Sequence, residues 1–351
     1  MALPDQILTR QGLNTNGDNV RESFMDVIYN ISPTERPYHQ NVGRDVASST
    51  FHEWSRDSLA PPRADNAHVD GDDFSAEGST GQVGSGFDGV AISGGNRLGN
   101  ECVISRKDIV ISRRSDIVNK AGRKSELNYQ LAKAGQELQR DCEAAALNNQ
   151  AAVTGSNTVA GRTAGVPAWL RTNTNRGALG ADPTLSGGAS GSPNTAATDG
   201  TDRALSESAL LGVIGEIYVG GGDPDMIMMH PFIKQRFSAY MFSSDSRIAE
   251  QRQDAGAKPS KGLTVVGAVD VYVSDFGVLD VVPNRFQRID DVFVLESDMW
   301  GIAYLDGYHI ERMGKTGDSE KRVLITDWCV VSRNEEASGI VADISNSPMV
   351  A

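Results

Sequence analysis

The stretch that decides the fold is RKSELNYQLAKAGQELQRDCEAAALNN, residues 123–149. Small and apolar side chains recur in it at steps of three and four residues, which places them on one face of an α-helix. They are Leu127, Leu131, Ala134, Leu138, Cys142 and Ala145. The intervening polar side chains are expected to face water: Lys133, Gln136, Glu137, Gln139, Arg140 and Glu143. We predict one long helix whose narrow, alanine-rich stripe packs along a β-sheet.

The composition excludes a protein that grips nucleic acid through a broad basic face. The chain has 351 residues, enough for two domains or one elaborated domain, with 39% hydrophobic residues and 37 glycines. Its formal net charge of −13 opposes tight binding to phosphate backbones. No apolar run approaches the ~18 residues of a membrane span, and the N-terminus has no secretory-signal pattern. We therefore expect no association with a membrane.

The cysteines are odd in number and far apart in the sequence. Cys102, Cys142 and Cys329 form no CxxC pair, so neither a zinc site nor a disulfide framework is indicated. This usage favours a reducing compartment. Since Cys142 lies on the apolar stripe of the predicted helix, we expect it to be a packing residue.

Two stretches before the helix carry too little apolar surface to fold alone. Residues 1–47 are predicted to be an arm, because two prolines near its end disfavour helix. Residues 48–114 are predicted to be an extended two-stranded loop, with limbs at 49–59 and 101–112. The acidic, glycine-rich sequence between the limbs is long for a structureless loop in a compact domain. A neighbouring molecule is therefore expected to order it.

The chain after the helix has the pattern of an α+β protein. Residues 151–202, rich in Gly, Ala, Ser and Thr, are predicted to be a surface loop or linker. The region that follows predicts helices and strands against a mixed sheet: helix 203–218, strand 226–229, helix 231–242, and a hairpin of 263–273 with 278–282.

The last 60 residues predict further strands, at 292–296, 300–305, 308–312 and 322–331. The dipeptide Asp306-Gly307 is typical of a tight hairpin turn, so residues 300–305 and 308–312 are predicted to be separate strands. Residues 322–331 (RVLITDWCVV) are apolar enough for the middle of a sheet.

No catalytic, cofactor or metal motif is present in the sequence. A GxGxxG string at residues 84–89 lacks the preceding strand and following helix that a dinucleotide site requires. Residues 66–77 match a calcium loop only at its glycine and final glutamate, which leaves weak cation binding by Asp70, Asp72 and Asp73 as an open alternative. The five histidines lack metal-ligand spacing. We expect no enzyme, no cofactor and no dedicated metal site.

Four stretches carry a resemblance to a known family. They are DVIYNISPTERPY (residues 26–38), FHEWSRDSLAPP (51–62), the long helix, and GGDPDMIMMHPFIKQRFSAY (221–240). In wording and in order, the sequence resembles the major capsid proteins of tailed bacteriophages, which have the Hong Kong 97-type fold. The resemblance extends from about residue 20 to about residue 345.

This resemblance implies a division of the chain into five parts. Residues 1–47 would be the N-terminal arm and 48–114 the extended loop (E-loop) over an adjacent subunit. Residues 115–200 would be peripheral domain with the spine helix at 123–149. Residues 201–285 would be the axial domain at the centre of a hexamer or pentamer. Residues 286–351 would return strands to the peripheral domain.

The resemblance also implies partners and a location. Hexamers and pentamers would form an icosahedral head in the virion, assembled in the host bacterial cytoplasm around double-stranded DNA, with a portal protein and possible scaffolding or decoration proteins. Contacts with neighbouring subunits are expected at Trp54, Arg56, Asp70, Asp72, Asp73, Arg106 and Lys107. An exposed loop and arm would be costly in a monomer, and head-to-tail burial of such extensions closes into rings and shells.

Two alternatives remain at this point. A shell protein of the same fold could enclose a cellular enzyme, as an encapsulin-like nanocompartment does. A hydrolase with an unrecognised site belongs to a different class, and it would require a pocket with clustered titratable side chains.

Overall fold

The computed structural model describes residues 32–59, 62, 64, 70, 95–118, 124–241, 269–315, 317–345, 347 and 349. The predictions for residues 1–31, for most of 60–94 and for 242–268 lie outside these ranges. The chain forms two compact units. The first contains residues 1–34, 107–136 and 310–324, and the second contains 35–106, 137–309 and 325–351.

The described part of the chain contains six α-helices and fourteen strands. The α-helices are α1 (Pro37–Asn41), α2 (Arg113–Ile117), α3 (Glu126–Leu147), α4 (Val166–Trp169), α5 (Glu207–Val219) and α6 (Pro231–Met241). The first strands are β1 (Gly43–Val46), β2 (Phe51–Arg56), β3 (Asn96–Glu101), β4 (Val103–Ser112), β5 (Asn173–Asn175), β6 (Thr184–Leu185) and β7 (Pro193–Thr195). The later strands are β8 (Met226–Met229), β9 (Val271–Val273), β10 (Val278–Pro283), β11 (Val292–Leu295), β12 (Trp300–Arg312), β13 (Ser319–Ser332) and β14 (Gly339–Val341).

The long helix is confirmed as α3, with 22 residues instead of the predicted 27-residue stretch. In the first unit, Asp116 accepts the backbone N–H of Glu126 at 2.9 Å, which fixes where the helix begins. The apolar side chains around this half form one cluster: Ile109, Ile111, Leu127, Leu131 and Ala134.

The narrow apolar stripe predicts one buried face for α3, but several faces of its second half are buried. Leu138 and Cys142 are buried, as expected, and Ala146 and Leu147 join them in the core of the second unit. Glu143 was expected to face water, and that prediction is wrong, because its side chain is completely buried. The donors that surround it, described below, make this burial tolerable.

A four-stranded sheet has the order β1-β12-β13-β4. The central position predicted for residues 322–331 is confirmed, since β13 lies between two neighbours. The turn predicted at Asp306-Gly307 is wrong, because β12 continues through both residues as one 13-residue strand. Gly307 is not among the described glycines with positive φ, which a tight turn needs. Pairing with the 14-residue β13 therefore overrides the local turn preference.

A six-stranded sheet has the order β5-β14-β11-β8-β10-β9. All four residues of β8 are buried, with β10 parallel on one side and β11 antiparallel on the other. The sheet combines β8, β9 and β10 from residues 201–285 with β5, β11 and β14 from outside that range, and the boundaries at 200/201 and 285/286 stay a prediction. A strand buried on both faces needs partners at both edges, and the later strands supply them.

The extended loop begins as a two-stranded hairpin whose returning strand differs from the predicted one. β2 pairs antiparallel with β3, from Phe51 opposite Glu101 to Arg56 opposite Asn96. The predicted returning limb, residues 101–112, is wrong, because β4 belongs to the four-stranded sheet. The chain leaves the hairpin at Cys102, whose N–H still bonds to Thr50 O at 2.7 Å.

The segment predicted to be a surface loop or linker, residues 151–202, contributes side chains to the core and a strand to a sheet. Val166, Trp169 and Leu170 are fully buried, and β5 joins the six-stranded sheet. Glycine is required at one point, since a Cβ on Gly165 would lie 2.0 Å from the carbonyl oxygen of Asn148. The small residues of this segment thus allow two stretches of backbone to pack closely. Composition alone does not distinguish such a packed segment from a flexible linker.

The assigned face of α3 yields a test. Leu138→Asp should abolish folded, soluble protein, because it places a charge at a position only 1% exposed. Leu131→Asp should be milder because Leu131 is partly buried, and exposed Gln136→Ala should leave the melting temperature unchanged. Soluble yield and thermal unfolding measure the three variants, and equal effects would contradict this assignment.

Candidate functional site

Trp54 holds the base of the β2–β3 hairpin against its own chain. Its indole Nε1 donates to Ser332 O at 2.8 Å, and its ring centroid lies 5.4 Å from that of Trp169. A two-stranded hairpin is only marginally stable by itself, so such contacts are what hold it in place. The residue that sequence reasoning assigned to a neighbouring subunit therefore has an intrachain role; its inter-subunit role stays a prediction.

Arg56, two residues after Trp54 in β2, bonds to an acidic cluster of the same chain. It donates to Glu336 Oε1 at 2.7 Å and to Asn334 Oδ1 at 3.2 Å, and lies 3.9 Å from Glu335. Burial raises the pKa of Glu335, although hydrogen bonding from Thr172 and the charge of Arg171 oppose the shift. These charge-assisted contacts orient the hairpin where it leaves the core.

The other predicted inter-subunit residues lie on different elements. Arg106 is exposed on β4 and Lys107, its neighbour, is half-buried. Asp70 is exposed, and Asp72 and Asp73 lie outside the described residues. Trp54 and Arg56 lie in the two-stranded β2–β3 sheet, whereas Arg106 and Lys107 lie in the four-stranded sheet. The predicted contact residues therefore do not form a single site.

The most constrained polar group is Glu143, which sequence reasoning missed. Its Oε1 accepts the N–H of Tyr38 at 2.8 Å and the side-chain amide of Asn284 at 2.7 Å. Its Oε2 accepts the N–H of His39 at 3.0 Å and bonds to His39 Nδ1. One carboxylate thus joins α1, α3 and the chain after β10. We call these four residues the Glu143 hub.

The hub keeps a charge in the interior. Burial by itself raises the pKa of Glu143, but hydrogen bonds and charge from His39 and the backbone N–H groups of Tyr38 and His39 outweigh it. The net pKa lies below the ordinary value, so the carboxylate is ionised at neutral pH. The one sequence signal was the apolar run at residues 144–147, which makes the last turn of α3 apolar on all sides.

A second polar cluster surrounds Arg288. Its guanidinium lies 2.7 Å from Asp199 and 3.6 Å from both Asp290 and Asp291. Asp291 is 2% exposed, and burial raises its pKa to about 6 in spite of the attraction of Arg288. This carboxyl therefore titrates close to neutral pH.

An apolar surface lies on the β9–β10 hairpin. Strand alternation turns Tyr272 and Leu279 inward, and leaves Val271, Val273 and Val278 outward. Val273 and Val278 face each other across the strands and are 72% and 60% exposed. We call these three outward valines the valine face.

The apolar surface continues beside the valine face. Phe276, in the turn of the hairpin, stacks at 4.9 Å on Tyr218 at the end of α5, and Val219 next to it is 89% exposed. Contiguous exposed apolar groups of this kind mark interaction sites in folded proteins.

Other classes of site have no counterpart in the described residues. They contain no group of three or more His, Cys, Asp or Glu side chains that could hold a metal ion. Among the described helices, none is long and apolar enough to cross a membrane.

Replacing the hub carboxylate should destabilise the protein strongly. Glu143→Gln puts an amide N–H₂ against a backbone donor and removes the charge, so a loss of about 3 kcal/mol is expected. Thermal unfolding at pH 7 measures it, with exposed Glu216→Gln on α5 as the matched control. Equal melting temperatures for the two variants would contradict the hub.

The raised pKa of Asp291 predicts a pH-dependent gain in the Asp291→Asn variant. The folded-state pKa of about 6 exceeds the ordinary 3.8, so ionisation of this side chain lowers the stability of the folded state as the pH rises from about 4 to 6. The full loss is present above about pH 6. The variant should be more stable than the wild type by about 3 kcal/mol at pH 8, and the gain should vanish near pH 4. Unfolding curves at several pH values test this, with exposed Asp280→Asn as control; a gain independent of pH would refute it.

Comparison with known proteins agrees with the architecture. The family model described as SU10 major capsid protein matches residues 8–345. The major capsid protein of Escherichia phage Phieco32 is 26% identical over 351 residues, covering 91% of this chain and 93% of that protein.

Solved structures share the fold at low identity. The capsid of a native GTA particle is 10% identical with a TM-score of 0.56, covering 97% of this chain and 100% of the other. The SrpI encapsulin from Synechococcus elongatus PCC 7942 is 9% identical with a TM-score of 0.53, covering 98% and 99%. At such identities these likenesses show the fold alone, and they confirm the α+β, Hong Kong 97-type capsid fold.

The family model separates the alternatives that the fold leaves open, because encapsulins and phage capsids share this architecture. It spans nearly the whole chain and describes a phage shell protein. The chain belongs to the SU10 major capsid protein family, and it is a major capsid protein of a tailed phage and a component of the virion.

Proposed function

We propose that copies of this chain assemble as hexamers and pentamers into an icosahedral head around double-stranded DNA. Assembly takes place in the host bacterial cytoplasm, with a portal protein and with scaffolding or decoration proteins as possible partners. The family forms multimeric shells in phage heads, and the role is structural, without a catalytic step. The net charge of −13 suits a wall that encloses DNA without holding its phosphates.

The observation that carries this proposal is the valine face. A strand that faces water on one side normally alternates apolar and polar residues, yet β9 and the start of β10 are apolar on both sides. The inward side chains are already buried in the core of the second unit. The outward valines thus supply a second apolar surface that the chain itself leaves exposed.

We propose that another copy of the chain covers this surface. Repeated around an axis, a head-to-tail contact between unlike surfaces closes into a ring, as a pentamer or hexamer requires. The valine face lies in residues 201–285, which the family resemblance places at the capsomer centre. The exposed turn residue Phe276 and the adjoining Tyr218 enlarge the apolar area available to such a contact.

The extended loop supplies the second proposed contact. Trp54 and Arg56 anchor the β2–β3 hairpin to its own chain, which sets the direction of the chain at residues 57–59. We propose that the loop then lies on an adjacent subunit and that Asp70, Asp72 and Asp73 face it. Arg106 and Lys107 on β4 are the basic residues proposed to receive such a neighbouring loop.

The N-terminal arm has a defined root in the Glu143 hub. Tyr38 and His39 are both held by the same carboxylate, so the direction of the chain is set there. We propose that the residues before this root extend over a neighbouring subunit. An arm anchored at one end loses less conformational entropy on docking than a free one.

Charging the valine face tests the assembly proposal. Val273→Asp with Val278→Asp should leave the subunit folded, because both side chains face outward, and should lower the yield of capsomers and shells at least about tenfold. Analytical ultracentrifugation and electron microscopy measure the yield, and circular dichroism reports the fold.

The matched control is Val159→Asp, an exposed valine in a loop of the same unit. It should assemble like the wild type. Normal shells from the double variant would overturn the proposed contact, whereas loss of fold in the double variant would contradict the outward orientation of the valines.

A further inference from the structure

Two of the three cysteines, which sequence spacing kept apart, are neighbours in the fold. Cys102 lies between β3 and β4, and Cys329 lies in β13; both are free thiols. Contacts on either side place them opposite each other. Asn100 donates to Val330 O at 2.7 Å, and Trp328 Nε1 donates to Ser105 Oγ at 3.0 Å. Cys329 is the residue between Trp328 and Val330.

The side chains of the two cysteines meet in one small apolar cluster. Cys329 is completely buried there with Ala47, Ala303 and Val331, and Cys102 packs against the cluster from a partly exposed position. The Cys102 thiol is close enough to that of Cys329 to affect its pKa. The hydrogen bond from Cys102 and burial raise the pKa of Cys329.

The backbone geometry suits a covalent link. The N–H of Cys102 bonds to Thr50 O at 2.7 Å, on the side of β2, so it is not available to β13. Disulfides span Cα separations of about 4.4–6.8 Å. The chain on both sides of Cys102 contacts the residues that flank Cys329, which suits a bond of that length.

We propose that Cys102 and Cys329 form an intrachain disulfide when the virion passes from the reducing host cell into an oxidising medium. Disulfides persist at virion surfaces and are rare in the cytosol, so the change of compartment supplies the condition. A low-molecular-weight disulfide, RSSR, is the oxidant.

The exchange balances in two steps. Cys102, the partly exposed thiol, loses its proton and attacks one sulfur of RSSR, which forms Cys102–S–S–R and releases RS⁻. Cys329 then loses its proton and attacks Cys102 Sγ, which forms the protein disulfide and releases the second RS⁻. The two released thiolates take up the two protons, so two RSH form as the protein loses two electrons. Because the pKa of Cys329 is raised, the second step is slow at neutral pH and faster at alkaline pH.

The bond would fix the base of the extended loop. Cys102 is the point where the chain leaves the β2–β3 hairpin, and Cys329 lies in a central strand of the four-stranded sheet. A link between them closes a long loop of chain, which restricts the unfolded state most. The oxidised shell should therefore resist unfolding better than the newly assembled one.

Peptide mapping of purified capsids tests this directly. Trypsin places the three cysteines in separate peptides, residues 98–106, 141–162 and 323–333. After incubation with oxidised glutathione, alkylation in denaturant and digestion, we expect peptides 98–106 and 323–333 to be linked and 141–162 to be alkylated. The melting temperature should rise by roughly 5–10 °C and return on reduction.

Variants separate this bond from other oxidation. Cys142→Ala should retain the linked peptides and the rise in melting temperature, and Cys102→Ser should lose both. Glutathione retained on Cys102 with Cys329 alkylated would overturn the proposal. So would two copies of peptide 98–106 joined between chains, or any link that includes peptide 141–162. Mapping of the wild type decides the outcome even where Cys102→Ser does not assemble.

Discussion

The ionised carboxylate of Glu143 is the constraint on which the second unit depends. A buried charge without partners is far too costly for a folded protein, so its four donors must arrive together. Three come from Tyr38 and His39 in α1, and the fourth comes from Asn284, which is 141 positions away from Glu143 in the chain. The hub thus sets the root of the arm, the rotation of the spine helix and the end of β10 with one interaction.

Sequence patterns predicted the elements whose signal is local. The long helix, the apolar strand at residues 226–229 and the inner strand at 322–331 follow from periodicity or from apolar run length, and all three are found. The hub could not be predicted in this way. Its donors are two backbone N–H groups, the His39 ring and an asparagine far along the chain, and none of them has a sequence signature.

Three of the wrong predictions share one physical cause, which is a tertiary contact that overrides a local preference. Asp306-Gly307 favours a turn, but the neighbouring strand keeps β12 extended through it. Residues 103–112 resemble a hairpin limb, but the four-stranded sheet takes them. The small residues around Gly165 resemble a linker, but they permit backbone contact at the end of α3. Of the candidate contact residues, Trp54 and Arg56 were found to serve the chain's own fold first.

A shell subunit must fold without burying all the apolar surface on which its assembly depends. This chain separates the two needs by chemistry. Polar contacts, buried at Glu143 and partly buried at Arg56, orient the arm and the loop. Apolar side chains that the core does not cover remain exposed on the β9–β10 hairpin. The sequence VYV of β9, apolar on both faces, is an early sign of that arrangement. When an edge strand does not alternate apolar and polar side chains, its outward apolar side chains indicate that another surface covers them after the subunit has folded.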